Sequence, residues 1–121
     1  MKNASNQSKE HNEICKQIQL ELTKNPYIKL FRNNVGVLKI ADRYVHFGLA
    51  VGTSDLIGYR AHIIDHHWLG RTIPIFTAIE VKTGSGRPSE EQTQFIDVVL
   101  EAGGYAGIAR SVEDARRILT P

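Results

Sequence analysis

The chain has 121 residues, 41% hydrophobic and 23% charged, with 15 Lys plus Arg against 13 Asp plus Glu and a formal net charge of +2. That length fits one domain of the usual roughly 100 to 200 residues, and the composition excludes the disordered and collagen-like classes. A charge so near balance argues only weakly for a polyanionic partner, and no apolar run reaches the roughly 18 residues needed to cross a bilayer.

Residues 1–10 are polar, unlike the apolar stretch of a signal peptide, and are read as a segment preceding a single domain over 11–121. From there Ile14, Ile18 and Leu22 recur at four-residue spacing, which predicts a helix over 11–24 that ends before Asn25 and Pro26. The lone cysteine, Cys15, cannot close an internal disulfide; it predicts a reducing, cytoplasmic setting and excludes a zinc site built on cysteine pairs. Residues 27–32 alternate as a strand does, and 33–36 read as a loop. Between 37 and 52, β-prone pieces such as 44–47 are cut by Gly48 and Gly52, so loop or irregular strand is expected.

β-Branched and aromatic residues resume over 56–65 and again over 73–82, with 68–71 as a connection, which predicts an antiparallel hairpin. Gly84, Gly86 and Pro88 break the chain. Ser89 then opens a helix whose apolar positions Phe95, Val99 and Ala102 share a face, with Ile96 and Leu100 alongside, and Gly103 and Gly104 end it. A short strand over 105–109 and a last helix capped by Ser111 and running through Leu119 complete the chain. There is no internal repeat. The order implies an α/β fold with antiparallel middle strands and a final strand reached through a helical crossover.

Glu80 and Lys82 are two residues apart on a strand, so both project from one face about 7 Å apart. A glutamate and a lysine at the end of an apolar strand are costly unless paired, solvated or used; the plain structural alternative is an edge-strand ion pair facing water. Asp55 opens the preceding strand, and a hairpin brings its carboxylate towards Glu80. Two carboxylates beside one lysine suit a hard cation such as Mg²⁺, which takes oxygen ligands and keeps waters for a substrate phosphate. In that reading Asp55 and Glu80 hold the metal, the Val81 carbonyl adds a ligand, and Lys82 orients the attacking water or stabilises charge on the phosphate during phosphodiester cleavage. For Asp55 alone, a turn residue or Asx cap is the structural alternative. Asp65, His66 and His67 with His62 nearby do not read as a metal site, because adjacent histidines on a strand point opposite ways.

These residues, together with Gly52 to Leu56 as a GxxDL-like motif, Ala78-Ile79-Glu80-Val81-Lys82-Thr83, Gly86-Arg87, Ser89 and Gln92 with Phe95-Ile96, and Gly103-Gly104-Tyr105-Ala106-Gly107 followed by Ala109-Arg110-Ser111, run in order through most of the chain. The chain resembles the virus-type replication-repair nuclease (VRR-NUC) domains of the PD-(D/E)XK superfamily. Ser54 stands where the superfamily's name places a proline.

The resemblance implies a restriction-endonuclease-like α-β-β-β-α-β core, with a mixed central sheet flanked by helices. It also implies a Mg²⁺- or Mn²⁺-dependent endodeoxyribonuclease, with Asp55 and Glu80 as metal ligands and Lys82 catalytic. It adds Glu13, matching an acid on the first helix that reaches the metal, whose alternative is a solvated acid pairing with Lys16. It adds Gln92 near the lysine, although Ser89 to Gln92 is equally a capping box. Stand-alone relatives of this kind resemble junction-resolving enzymes, so a homodimer acting on branched DNA such as Holliday junctions, in a bacterial or phage-infected cell, is expected. The stretches 27–31 and 44–47 are candidate contacts between the two copies. Flap cleavage, non-specific cutting, and a non-catalytic DNA-binding module of nuclease fold are the alternatives. Arg60, Arg71, Arg87, Arg110, Arg116 and Arg117 are the candidate DNA contacts.

Overall fold

Ile14, Ile18 and Leu22 give the first helix one apolar stripe, and burying that stripe against a sheet sets the architecture. The computed structural model describes residues 4–121, and α1 (Ala4–Leu22) carries buried Cys15, Ile18 and Leu22 on its inner side. The helix begins earlier than the stripe implies. Residues 4–10 of the expected polar segment are its first turns, and residues 1–3 lie outside the described residues. The apolar period marks only the part of a helix that packs, and an exposed polar extension carries no such mark.

The strands and helices that follow are β1 (Ile28–Arg32), β2 (Gly36–Ile40), β3 (Arg43–Phe47), β4 (Leu56–Ile64), β5 (Arg71–Val81), α2 (Glu90–Glu101), β6 (Tyr105–Ala109) and α3 (Val112–Ile118). Four strands make one sheet in the order β1-β4-β5-β6, with β1, β4 and β5 antiparallel and β6 parallel to β5. The parallel pair requires the helical crossover that α2 provides. The expected mixed sheet flanked by helices, with an α-β-β-β-α-β core, is therefore the observed one, built from α1, β1, β4, β5, α2 and β6.

One face of the sheet, through Ile28, Leu30, Leu56, Ile79, Val81 and Ala109, meets Cys15, Ile18 and Leu22 of α1 and Ala115 and Leu119 at α3 in a single cluster. The other face is covered over β5 and β6 by α2, whose Ile96 and Val99 are buried while Phe95 is half-buried and Leu100 exposed. Two residues show why the strands fit. Pro74 lies in β5 opposite Ala61, but β6 pairs only with 77–81, so β5 is an edge there and the missing N–H costs no ladder bond. A Cβ on Gly58 would stand 1.9 Å from the Lys29 carbonyl oxygen, so β1 and β4 approach this closely only because residue 58 has no side chain.

The region expected to be loop or irregular strand is a regular antiparallel ribbon, β2 with β3, separate from the main sheet. Its turn is made by Ala41 at φ 54° with Asp42, a conformation usually signalled by Gly or Asn. No turn signature announced it, and its apolar residues are exposed. Leu38, Ile40, Val45 and Phe47 share one face of the ribbon, all solvent-accessible.

Candidate active site

Antiparallel pairing sets Leu56 opposite Ile79, so the residue before β4, Asp55, arrives beside the end of β5. Its Oδ2 accepts the Val81 backbone N–H at 2.8 Å. Asn33, 7% exposed, fastens the loop leading into it: its Nδ2 donates to Thr53 Oγ1 at 2.9 Å and to the Ser54 carbonyl at 2.8 Å, and its Oδ1 accepts the Leu49 N–H at 3.1 Å. The Asn33 backbone N–H also donates to the Asp55 carbonyl at 2.7 Å. With its donors and acceptor satisfied, this buried amide holds the approach to Asp55 in one conformation.

Glu80 is 1% exposed. Its Oε1 is 3.3 Å from Lys82 Nζ, the same-face relation expected of alternate strand residues, and accepts a hydrogen bond from Gln92 Nε2 at 2.8 Å. Its Oε2 is buried with no donor to satisfy it. Burial, reinforced by the neighbouring Asp55 carboxylate, pushes Glu80 up to about 7 against the pull of Lys82. Asp55 moves the other way. Burial opposes its ionisation, but hydrogen bonds from His11 and from the Val81 N–H outweigh that cost and hold it below its ordinary range. Two carboxylates pressed together with opposite shifts, one oxygen left without a donor, form a place where a cation relieves both the repulsion and the orphaned acceptor.

Gln92 closes the capping box and also reaches Glu80. Its Oε1 accepts the Ser89 backbone N–H at 2.8 Å, and the Ser89 hydroxyl accepts the Gln92 N–H at 3.1 Å, which closes the capping box; its Nε2 is then free to reach Glu80. The two ends of one amide serve helix and site together.

Glu13 does not come to the site. Its carboxylate is exposed and accepts from Gln17 Nε2 at 3.3 Å, on the solvent side of α1. The helical residue that arrives instead is His11, two positions earlier and roughly 200° around the helix. Its Nε2 is 3.2 Å from Asp55 Oδ2 and 2.9 Å from the Val81 carbonyl oxygen. The Asp55 hydrogen bond raises His11 above its ordinary value, with burial opposing. Among the acids of α1, Glu10 is half-buried, one turn before Ile14. Arg32 Nη1 lies 3.8 Å from Asp55 Oδ1 and also donates to the Cys15 sulfur, while its Nη2 donates to Asn12. Cys15 itself is buried, and that burial raises its thiol to about 11.

His11, Asn33 and Arg32 escaped the reading of the sequence because their roles depend on the phase of α1 against the sheet. The Asn33-Asn34 run, a turn signal, marked the neighbourhood of Arg32 and Asn33, and the Ile14–Ile18–Leu22 stripe, continued three residues earlier, marked that of His11. The histidines at 66 and 67 lie in a short 3₁₀ turn at the hairpin tip, and His62 shares a 2.7 Å hydrogen bond with Tyr105 Oη. Among the described residues no three His, Cys, Asp or Glu side chains already gather as a metal cluster.

Four of the candidate arginines have local partners. Arg116 pairs with Glu21 at 3.7 Å, Arg117 with Asp114, and Arg71 lies over the Trp68 ring. Arg110 alone braces the site's surroundings, donating to the carbonyls of Gly84 at 2.9 Å and Gly86 at 2.6 Å just after Lys82. An open cleft of about 540 Å³ leads in from the β2–β3 ribbon, walled by Phe47, Leu49 and Val51 and ending at Asp55 and Gln92. No described helix is long and apolar enough to cross a membrane.

A family model described as the VRR-NUC domain matches residues 6–113. No curated protein matches the chain.

Proposed function

The chain belongs to the VRR-NUC domain family of nuclease-type domains, and from that premise we propose that it is a divalent-metal-dependent DNA endonuclease, selective for branched DNA and acting as a homodimer. The observation that carries the reading is Glu80: a buried carboxylate with a donorless oxygen, beside Asp55 and 3.3 Å from the Lys82 ammonium. A structural ion pair facing water would leave neither an orphaned oxygen nor a second buried acid against it.

Asp55 and Glu80 would hold the cation, Mg²⁺ or Mn²⁺, with the Val81 carbonyl completing the protein's share. When bound, the cation supplies Lewis acidity at the phosphate and a water of lowered pKa. The chain's own groups do the rest. Gln92 fixes one oxygen of Glu80 and leaves the other, buried and without a donor, for the cation. Lys82, partly exposed at 20%, presents N–H donors where the phosphate oxygens gain charge and the attacking water must be aimed. Arg110 holds the loop behind Lys82 and limits its drift.

A site on one small domain cuts one strand, and two-fold association supplies the second cut that a symmetric junction needs. The exposed apolar face of Leu38, Ile40, Val45 and Phe47 supports self-association, since an isolated two-stranded ribbon is marginal in water and such a patch marks an interface.

Incubating the pure protein with four-way, flap and linear DNA in Mg²⁺ or Mn²⁺ tests the proposal. Cleavage of the four-way substrate that is lost in Glu80→Ala and in chelator is expected. Preferential flap or indiscriminate cutting replaces the junction assignment, and binding without any product removes the enzyme reading altogether.

A further inference from the structure

His11 touches Asp55, and the proposed chemistry leaves it without a task. Its Nε2 contacts an oxygen of each of two groups assigned to the cation, Asp55 Oδ2 at 3.2 Å and the Val81 carbonyl at 2.9 Å. Adjacent ligands of an octahedral ion with bonds of about 2.1 Å stand about 3.0 Å from one another. The nitrogen therefore already sits at the spacing of a neighbouring ligand to both oxygens. Its side chain is 26% exposed, and α1 is anchored just beyond it by buried Cys15 and Ile18, so the ring is carried by a fixed backbone.

We propose that His11 Nε2 is a further ligand of the cation and that this nitrogen makes the site prefer a first-row transition ion over Mg²⁺. The inference rests on the reading of Asp55 and Glu80 as cation ligands. Mg²⁺ takes oxygen donors almost throughout, whereas imidazole is a good ligand for transition ions, among which Mn²⁺ also accepts carboxylate and carbonyl oxygens. A cation held by Nε2 would take the place of the hydrogen bonds this nitrogen makes to the two oxygens, with the imidazole neutral and its remaining proton on Nδ1. Among the described residues His11, Asp55 and Glu80 do not stand as a closed cluster, so a cation held by all three would need the side chains of His11 and Glu80 to close on Asp55.

Mn²⁺ titrated into the intact protein and followed by pulsed electron paramagnetic resonance tests this without reference to turnover. Wild-type protein is expected to show ¹⁴N modulation from one directly bound imidazole. His11→Gln, checked for folding by thermal melting in EDTA, should lose that modulation and bind Mn²⁺ roughly 10-fold more weakly, while Mg²⁺ affinity measured by competition changes by less than about 3-fold. Mn²⁺ bound by the wild type without nitrogen modulation overturns the role of His11, leaving Asp55 and Glu80 as ligands, and so does His11→Gln binding Mn²⁺ as tightly as wild type. Mn²⁺ binding that is absent, or unchanged in Glu80→Gln, overturns the metal reading itself and this inference with it.

Discussion

Replacing Glu80 by Gln should make the metal-free protein more stable, by an amount that depends on pH. The side chain is 1% exposed, and burial beside Asp55 raises it from 4.5 to about 7. Its folded value lies above its unfolded one, so between pH 4.5 and 7 the folded state binds the proton more tightly and stability falls as pH rises through that window. Above about pH 7 the whole penalty is present, about 3 kcal/mol; at pH 5 it is about 1 kcal/mol. The substituted amide keeps an acceptor for Gln92 and turns a donor towards Asp55, which removes the orphaned oxygen. Urea unfolding in EDTA should place the Glu80→Gln variant above wild type by about 3 kcal/mol at pH 8, or roughly 10 °C in melting temperature, with the gap shrinking at pH 5. Added Mn²⁺ should then raise the wild type and not the variant. A variant less stable at pH 8, or a gap independent of pH, would refute the picture of two acids forced together.

Lys82→Ala should keep the fold, as the side chain is partly exposed, and lower kcat for DNA cleavage by about 10² to 10³ with little change in DNA affinity, measured by single-turnover assays. Asn33→Ala removes three side-chain hydrogen bonds from the loop before Asp55 and should cost about 2 to 3 kcal/mol in denaturant unfolding, with a fall in Mn²⁺ affinity as the loop loosens. Ser54→Ala should stabilise by up to about 1 kcal/mol, because its hydroxyl is buried without a partner. Gly58→Ala should fail to fold or lose more than about 3 kcal/mol by circular dichroism melting, since its Cβ has no room against Lys29.

The hairpin that unites Asp55 with Glu80 was legible because two β-rich runs flank a short connection, and the pairing of Glu80 with Lys82 followed from strand alternation alone. Ser89 and Gln92 were legible as a cap from four consecutive residues. What escaped was anything set by how one element is rotated against another. His11, three residues before Ile14, continues the Ile14–Ile18–Leu22 stripe and Glu13 does not, so packing of Cys15, Ile18 and Leu22 against the sheet turns His11 inward and Glu13 out. Asn33 read as a turn residue because its partners, Leu49, Thr53 and Ser54, are distant in the chain. The β2–β3 ribbon escaped because Gly48 and Gly52 read as breaks and its turn at Ala41 and Asp42 carries no Gly or Asn signal, although Leu38, Ile40, Val45 and Phe47 alternate with Lys39, Tyr44 and His46.

Anomalous scattering from a crystal grown with Mn²⁺ tests the two-carboxylate site most directly. One peak should lie within coordination distance of Asp55, the free oxygen of Glu80 and the Val81 carbonyl, next to Lys82. Crystals that show no peak there, with the two carboxylates still in contact, would contradict it.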